Sequence, residues 1–291
     1  MIGAIVGDIL GSRWEGTSEK PDLEKPLFYE DSRQTDDSVL SVATAHAILH
    51  HSSFEDAYRS FFRLYSGSIT KLGRGFPAGY GPMFVNWAMD DERKQGTSYG
   101  NGSAMRVSPI GWAATSRKEA IEMARTSAIC THNHPEGIKG AEAIALAIYL
   151  ARTGKSKDYI FPLLSSTFEY PLEFDLLELH DNYEFNATCP GSVPQALACV
   201  FRADSFEEAM MNALYIGGDS DTICAIAGSV AEPLWGVPEE YSKKAMSLLE
   251  RYTPMLAGIV QQFEDRYGSN TTSKTKEHII GFKQQLINRL L

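Results

Sequence analysis

Apolar residues recur along this chain at the three- to four-residue spacing of amphipathic helices, whereas the alternation expected of half-buried strands is scarce. The pattern favours an all-α fold, and it predicts helices over residues 36–51, 54–65, 82–90, 117–130, 136–153, 192–202, 205–215, 219–231, 239–257 and 275–290. Several of these segments open with residues that favour a helix N-terminus, among them Ser116, Ser205 and Pro238. Glycine- and proline-rich stretches separate the helices, and such loops are where a helical scaffold places its chemistry.

The organisation of the chain is simple up to residue 268, because no long linker, internal repeat or low-complexity tract interrupts it. We therefore expect one domain over residues 1–267. Residues 268–274 read GSNTTSK, which is typical of an exposed connector. Residues 268–291 are thus expected to form a connector and a C-terminal helix that packs on the same domain.

Charge and composition exclude several classes of protein. Lys and Arg number 27 against 37 Asp and Glu, and the net charge of -10 offers no basic surface for nucleic acid as the main partner. The start of the chain lacks the basic segment of a signal peptide, and no apolar run approaches the ~20 residues that cross a bilayer. The four cysteines show no C-x-x-C spacing and are expected to be free, mostly buried thiols. These features predict a cytoplasmic protein without a membrane partner.

Two predicted helices begin with clusters of carboxylate and hydroxyl side chains, which are Thr35, Asp36 and Asp37 in one and Asp219, Asp221 and Thr222 in the other. Each cluster alone is explained by N-capping and by the helix dipole. Together they offer only oxygen ligands, a set that suits Mg²⁺ or Mn²⁺ rather than zinc. If the clusters meet in space, two divalent cations would balance the four carboxylates, and removal of the metal would destabilise the fold.

A glycine-dense stretch over residues 97–106, TSYGNGSAMR, is a second candidate for chemistry. Its exposed backbone amides could bind phosphate oxygens without a lysine, although the stretch alone is also typical of a plain turn. No Walker A or G-x-G-x-x-G motif accompanies it, which argues against ATP phosphoryl transfer and dinucleotide redox chemistry. His132, between two predicted helices, could contact a ligand, and Glu15, beside Trp14, could act as a general acid or base.

Five short motifs in a fixed order resemble the ADP-ribosylglycohydrolase family: GDILGSRWE at 7–15, TDDS at 35–38, SYGNGSAMR at 98–106, TH at 131–132 and GGDSDT at 217–222. The resemblance runs from about residue 3 to residue 236. It implies a compact orthogonal multi-helix bundle around a binuclear Mg²⁺ or Mn²⁺ centre. It also implies hydrolysis of the bond between ADP-ribose and an acceptor, so that the partner is an ADP-ribosylated protein or small conjugate.

The same resemblance implies roles for individual residues. The metal ligands would be Thr35, Asp36, Asp37, Asp219, Asp221 and Thr222. The contacts to ADP-ribose would come from Ser98, Tyr99, Gly100, Asn101 and His132. Glu15 would be the catalytic carboxylate, activating water or shuttling a proton at an oxocarbenium-like transition state.

An enzyme that cleaves arginine-linked ADP-ribose is expected to place an acidic side chain near the guanidinium leaving group. Residues 66–89 of this sequence contain no aspartate or glutamate. This favours O-linked or free ADP-ribose conjugates. Two alternatives from other classes remain open. A metal-dependent nucleotide phosphohydrolase would use the same kind of oxygen-lined site, and a non-catalytic ADP-ribose-binding protein could share the fold.

Overall fold

The structure is a computed structural model that describes residues 1–17, 21, 27–30, 32–69 and 79–268. Over these residues the regular structure is helical, and only two isolated β-bridges are present beside the helices. In chain order the helices are α1 (Ile2–Gly11), α2 (Asp36–His50), α3 (Phe54–Ile69), α4 (Pro82–Met89), α5 (Gly102–Met105), α6 (Ser108–Ala113), α7 (Arg117–Ile129), α8 (Pro135–Arg152), α9 (Lys157–Phe168), α10 (Leu176–Asn182), α11 (Cys189–Phe201), α12 (Phe206–Ile216), α13 (Ser220–Trp235), α14 (Glu239–Tyr252) and α15 (Pro254–Tyr267). The all-α prediction is confirmed.

Capping residues begin several helices where the sequence predicts. The Ser116 hydroxyl accepts the N–H of Glu119 at 3.1 Å, and the Ser205 hydroxyl accepts the N–H of Glu208 at 3.1 Å. Each such bond satisfies an amide that has no partner inside the helix and typically stabilises it by about 1 kcal/mol. The caps therefore specify the starts of α7 and α12 through local contacts.

The prediction of one helix over residues 239–257 is wrong. The chain forms α14 and then a separate α15, with Thr253 at φ -144° between them. Pro254 lies at the start of α15, where its missing N–H breaks no hydrogen bond, whereas inside a continuous helix it would. The sequence pattern also missed α1, α5, α6, α9 and α10. The helix predicted over 275–290 lies outside the described residues, and the division of the chain at residue 268 stays a prediction.

The centre of the fold is the pair α1 and α13, which pack unusually close. Helix α1 carries a glycine every four residues, at Gly3, Gly7 and Gly11. A Cβ atom at Gly7 would lie 2.0 Å from the carbonyl oxygen of Cys224, and one at Gly11 would lie 2.2 Å from that of Ser220. Only glycine permits this approach. The contact brings the N-terminal end of α13 beside α1, and so it places the second acidic cluster.

Two findings concern cysteine chemistry and membranes. All four cysteines are free and buried, as predicted. Burial raises the pKa of the Cys199 and Cys224 thiols, which keeps them protonated and unreactive. No helix in the described part of the chain combines the length and apolar character needed to span a bilayer.

Candidate active site

The two acidic clusters meet in the fold, although 185 residues separate them in sequence. The hydroxyl of Thr222, in the first turn of α13, donates to Asp37 Oδ2 at 3.2 Å. Asp37 lies in the first turn of α2, and its carboxylate joins those of Asp8 and Asp221, with one oxygen from each lying within 4.8 Å of the others. The predicted shared site is therefore assembled from the N-terminal ends of α2 and α13.

A second group of carboxylates overlaps the first. Oxygens of Glu15, Asp219 and Asp221 also lie within 4.8 Å of one another. Glu15 follows α1 in a turn and is half-buried, so it borders the acidic cluster from the side of the open pocket. Asp219 occupies the N-cap position of α13 but makes no side-chain capping hydrogen bond. Its carboxylate is directed to the site instead, and capping does not explain it.

Asp8 is a member of the site that the sequence reasoning did not assign. Its fully buried carboxylate accepts the N–H of Thr35 at 2.9 Å, the hydroxyl of Thr35 at 2.8 Å and the N–H of Ser38 at 3.1 Å. It also accepts the Ser38 hydroxyl. Asp8 thus caps α2 from a neighbouring helix. Thr35, predicted as a metal ligand, is not among the residues that line the pocket; its hydroxyl lies 2.8 Å from Asp8 Oδ1 and 3.3 Å from Asp37 Oδ2.

The aspartates of this site are held in an environment that disfavours their charge. Burial raises the pKa of Asp8 and of Asp219 to about 6, and hydrogen bonds offset part of the effect. Burial, followed by the charges of neighbouring carboxylates, raises the pKa of Asp36, Asp37 and Asp221 well above the usual range. Such groups either bind protons or require positive charge nearby.

The donor set fits divalent cations. One oxygen of Asp37, Oδ1, is buried and has no hydrogen-bond partner among the residues that the structure describes, and a buried carboxylate oxygen left in this way is costly. The two clustered groups of possible metal ligands in the described residues consist of carboxylates, and carboxylate oxygens are ligands that hard cations such as Mg²⁺ and Mn²⁺ prefer. The residues present are therefore suited to hold the metal that the sequence predicts.

A glycine-rich loop borders the acidic groups. Within it, Gly100 N–H donates to Ser98 Oγ at 3.0 Å, and Asn101 Nδ2 donates to Asp219 Oδ2 at 2.6 Å. Asn101 therefore ties the loop to the carboxylates. β-Bridges join Thr97 to His132 and Gly100 to Thr188, so that this short segment is held from two sides without belonging to a sheet.

His132 lies behind this loop and is buried. Burial, followed by the charge of Arg106, lowers the pKa of His132 well below its usual value. The imidazole is therefore neutral at pH 7. A neutral ring offers one donor and one acceptor nitrogen, rather than a full positive charge.

One cavity of about 430 Å³ unites these groups. Among its lining residues are all the predicted site residues except Thr35, namely Glu15, Asp36, Asp37, Ser98, Tyr99, Gly100, Asn101, His132, Asp219, Asp221 and Thr222. Tyr99 and Phe185 also border it and are each about half exposed, at 49% and 53%. Phe185 was not identified as a pocket residue from the sequence, because the residues around it do not distinguish a phenylalanine at a pocket mouth from one in the core.

Gly79 is a further pocket residue that the sequence did not single out. It has φ +89°, and a Cβ atom there would lie 1.9 Å from Asp36 Oδ1. A side chain at this position would displace the Asp36 carboxylate. The loop before it, at residues 70–78, lies outside the described residues. The preference for O-linked conjugates, which is inferred from the absence of Asp and Glu in this region, therefore stays a prediction.

Comparison with known proteins decides the family. The family model for ADP-ribosylglycohydrolase matches residues 1–264 of this chain. The chain belongs to the ADP-ribosylglycohydrolase family. The resemblance found in the five motifs is confirmed, and so is the interpretation of the chain as a hydrolase.

Curated relatives of this ADP-ribosylglycohydrolase are similar over most of its length. ADP-ribosylhydrolase ARH3 of Danio rerio is 27% identical, covering 81% of this chain and 82% of that protein. ADP-ribosylhydrolase ARH3 of Homo sapiens is 26% identical, covering 84% and 87% respectively. ADP-ribosylarginine hydrolase Tri1 of Pseudomonas putida is 23% identical, covering 84% and 72%.

A solved structure shares the fold of this family member. The structure titled ADP-ribosylglycohydrolase-related protein complex superimposes with a TM-score of 0.63 and 22% sequence identity, covering 90% of this chain and 96% of the other. The architecture described above is therefore shared, at the level of the overall fold, with this solved structure.

Proposed function

We propose that this protein hydrolyses the glycosidic bond between ADP-ribose and an acceptor, with two divalent cations, Mg²⁺ or Mn²⁺, as cofactors. The observation that carries the proposal is the single cavity in which buried carboxylates and a glycine-rich loop are joined by the hydrogen bond from Asn101 to Asp219. Such a cavity can take a ligand that has a ribose at one end and phosphates at the other.

The ribose end of the substrate would lie at the acidic cluster. The residues that would hold the cations are Thr35, Asp36, Asp37, Asp219, Asp221 and Thr222. When bound, the cations supply Lewis acidity and the positive charge that four buried aspartates require. Because the Thr35 hydroxyl is hydrogen-bonded to Asp8 and Thr35 is not among the residues that line the cavity, we assign Thr35 the weakest share of this set.

The diphosphate and base of the substrate would lie along the glycine-rich loop. Ser98, Gly100 and Asn101 present backbone amides and small polar groups, and glycine lets phosphate oxygens approach the backbone closely. Tyr99, about half exposed at the cavity, offers a face on which a purine can stack. His132 adds a buried neutral donor or acceptor.

Glu15 is the proposed catalytic carboxylate, since among the described residues that line the cavity it is the one acidic group that is only half-buried. In this assignment Glu15 removes a proton from water as the water oxygen bonds to the anomeric carbon. The bond from that carbon to the acceptor breaks, and Glu15 returns the proton to the acceptor. The products are ADP-ribose and the unmodified acceptor.

The acceptor is proposed to be O-linked, such as a serine side chain. The absence of aspartate and glutamate from residues 66–89 supports this choice, because a guanidinium leaving group would favour an acidic neighbour. Similarity to relatives does not decide it, since the chain matches both ARH3 proteins and an ADP-ribosylarginine hydrolase.

We further propose that the protein acts in the cytoplasm. Its four cysteines are all free and buried, a usage typical of a reducing compartment.

Product analysis tests the proposed reaction. Serine-, arginine- and nucleic-acid-linked ADP-ribose are each incubated with the protein and with Mg²⁺ or Mn²⁺ in turn. Intact ADP-ribose and a free acceptor, released fastest from the serine substrate, are expected. Release of AMP or phosphate would instead identify a phosphohydrolase. Binding of ADP-ribose without turnover of any substrate would identify a non-catalytic binder.

A further inference from the structure

A buried arginine lies behind the glycine-rich loop and has no role in the proposed mechanism. Arg106 is 0% exposed, and its guanidinium carbon lies 3.9 Å from the ring centroid of Tyr58. Its Nη2 donates to the Ser127 carbonyl at 3.1 Å and to Thr131 Oγ1 at 2.6 Å. Nε and Nη1 have no hydrogen-bond partner, and no carboxylate within the described ranges pairs with it. The positive charge of Arg106 is therefore not neutralised by an ion pair with any described residue. It acts electrostatically on the groups in contact with it and on the cavity that it borders.

Thr131 connects this arginine to His132. Its hydroxyl oxygen lies 2.6 Å from His132 Nδ1 and carries a single proton. Two other acceptors lie near this hydroxyl: the carbonyl oxygen of Ala128, at 3.4 Å, and the sulfur of Cys130, which is a weak acceptor. That oxygen already accepts the N–H groups of Thr131 at 3.0 Å and His132 at 2.7 Å. Since O–H···O bonds are normally 2.5–3.0 Å long, the hydroxyl proton is best placed on Nδ1.

The position of Arg106 favours the same arrangement. The Thr131 oxygen accepts from the guanidinium, and so its proton is left for the imidazole. A proton on Nδ1 would point towards the positively charged Arg106 guanidinium and be repelled by it. A lone pair on Nδ1 is instead attracted to that charge. The neutral His132 ring carries one N–H, and with Nδ1 as acceptor that N–H is on Nε2.

The Nε2 atom faces the glycine-rich loop. It lies 3.6 Å and 3.4 Å from the positions that Cβ atoms would take at Gly100 and Gly102, and both glycines leave that space open. Within the part of the chain that the structure describes, Nε2 has no hydrogen-bond partner, and His132 lines the cavity.

We propose that Thr131, held by Arg106, is a positioning residue that fixes His132 as the Nε2–H tautomer, so that the ring donates a hydrogen bond to an anionic oxygen of the substrate. Only the identity of that oxygen, a phosphate of ADP-ribose, rests on the proposed function. The tautomer itself is a property of the free protein.

Nitrogen NMR of the ligand-free protein tests the tautomer directly. A long-range proton–nitrogen correlation spectrum of ¹⁵N-labelled protein at pH 7.5 is recorded, with His132 assigned from the spectrum of a His132→Gln variant. We expect a protonated Nε2 and an unprotonated Nδ1. A proton on Nδ1 would overturn the proposal, and this result is independent of whether ADP-ribose is a ligand at all.

Calorimetric titration with ADP-ribose tests the role of the hydroxyl. Thr131→Val is expected to weaken binding about tenfold, since it removes the bond that fixes the ring. Thr131→Ser retains the hydroxyl and is expected to restore binding, and Thr126→Val on the exposed face of α7 is the matched control. Equal losses in the Val and Ser variants would overturn the proposal. If Thr131→Val fails to fold, the tautomer of the wild-type protein decides it.

Discussion

The acidic part and the glycine-rich part of the cavity differ in charge and in what they need in order to bind a ligand. The acidic part, formed by Glu15, Asp36, Asp37, Asp219 and Asp221, gathers negative charge in a buried place, and burial raises the pKa of its aspartates. In the glycine-rich part, residues 98–102 with His132, Gly100 and Asn101 are hydrogen-bonded within the fold, and the imidazole of His132 is neutral. The acidic part needs a bound cation to stabilise its ionised carboxylates at neutral pH. The glycine-rich part already has its binding geometry without any added ion.

Magnitudes explain why helix N-termini do not relieve the acidic part. An acidic side chain gains about 0.3–1 kcal/mol from the helix dipole, and up to about 2 kcal/mol when partly buried. Two like charges ~4 Å apart repel by about 4 kcal/mol at an effective dielectric of about 20. Repulsion and burial therefore outweigh the dipoles of α2 and α13, in agreement with the raised pKa of Asp37 and Asp221.

Removing one acidic ligand should cause the largest loss of activity, because it disrupts the acidic part and leaves the glycine-rich part intact. Asp36→Ala is expected to lower kcat/KM by about 10⁴-fold, because the cluster acts as a unit in holding the cations. Asp219→Ala should do the same. Steady-state hydrolysis of an ADP-ribosylated peptide measures the effect. Asp158→Ala, on the exposed face of α9, is the matched control and should leave the rate unchanged. Retained activity in Asp36→Ala would contradict the assignment.

Glu15→Gln should separate chemistry from binding. Turnover is expected to fall about a thousandfold, since an amide cannot take the proton from water. The affinity for ADP-ribose should stay within about threefold of the wild type, because the glycine-rich part is untouched. Single-turnover kinetics and calorimetry measure the two quantities. A Glu15→Gln variant that no longer binds ADP-ribose would show that Glu15 belongs to the binding groups.

Gly79→Ala should disturb the acidic part without removing any ligand. Its Cβ would collide with Asp36 Oδ1, and a misplacement of about 1 Å can lower kcat/KM about a hundredfold. Gly154→Ala is a matched control, because Gly154 has a similar φ of +84° with no atom within 4 Å of the added Cβ. Both variants should lose about 1–2 kcal/mol of folding free energy from the left-handed backbone, but only Gly79→Ala should lose activity. Equal activity in the two variants would refute the contact.

Chelation should lower the melting temperature by about 5 °C at pH 7, since a bound cation at about 100 times its Kd contributes about 2.7 kcal/mol. The raised pKa of Asp8 and Asp219, about 6 against the usual 3.8, sets the pH dependence. Between these values the folded protein holds protons that the unfolded chain releases, so the cation-free protein loses stability as the pH rises. The gap between melts with Mg²⁺ and with chelator should therefore widen from pH 4 to pH 7. A gap that narrows would count against the carboxylate assignment.

The acidic residues could be predicted from the sequence because each cluster has a local signal, a helix start, and a fixed place among the other motifs. Asp8 could not, because its partners Thr35 and Ser38 belong to a different helix. Helix α1 itself was missed, since its glycines at every fourth position lower the local helix propensity and are explained only by the close contact with α13.

Gly79 and Phe185 illustrate the same limit. The contact between Gly79 and Asp36 depends on the approach of two segments that are 43 residues apart. Phe185 lines the cavity three residues before Thr188, which pairs with Gly100. Neither pairing has a signal in the composition or periodicity of the surrounding sequence. By contrast, Ser98 and Asn101 were predicted because the glycines around them form a recognisable motif.

Anomalous diffraction from crystals soaked in Mn²⁺ tests the account most directly. We expect two manganese peaks in the cavity, bound by carboxylates from both α2 and the N-terminal end of α13. Absence of manganese from the cavity at a concentration that supports full hydrolysis would contradict the account.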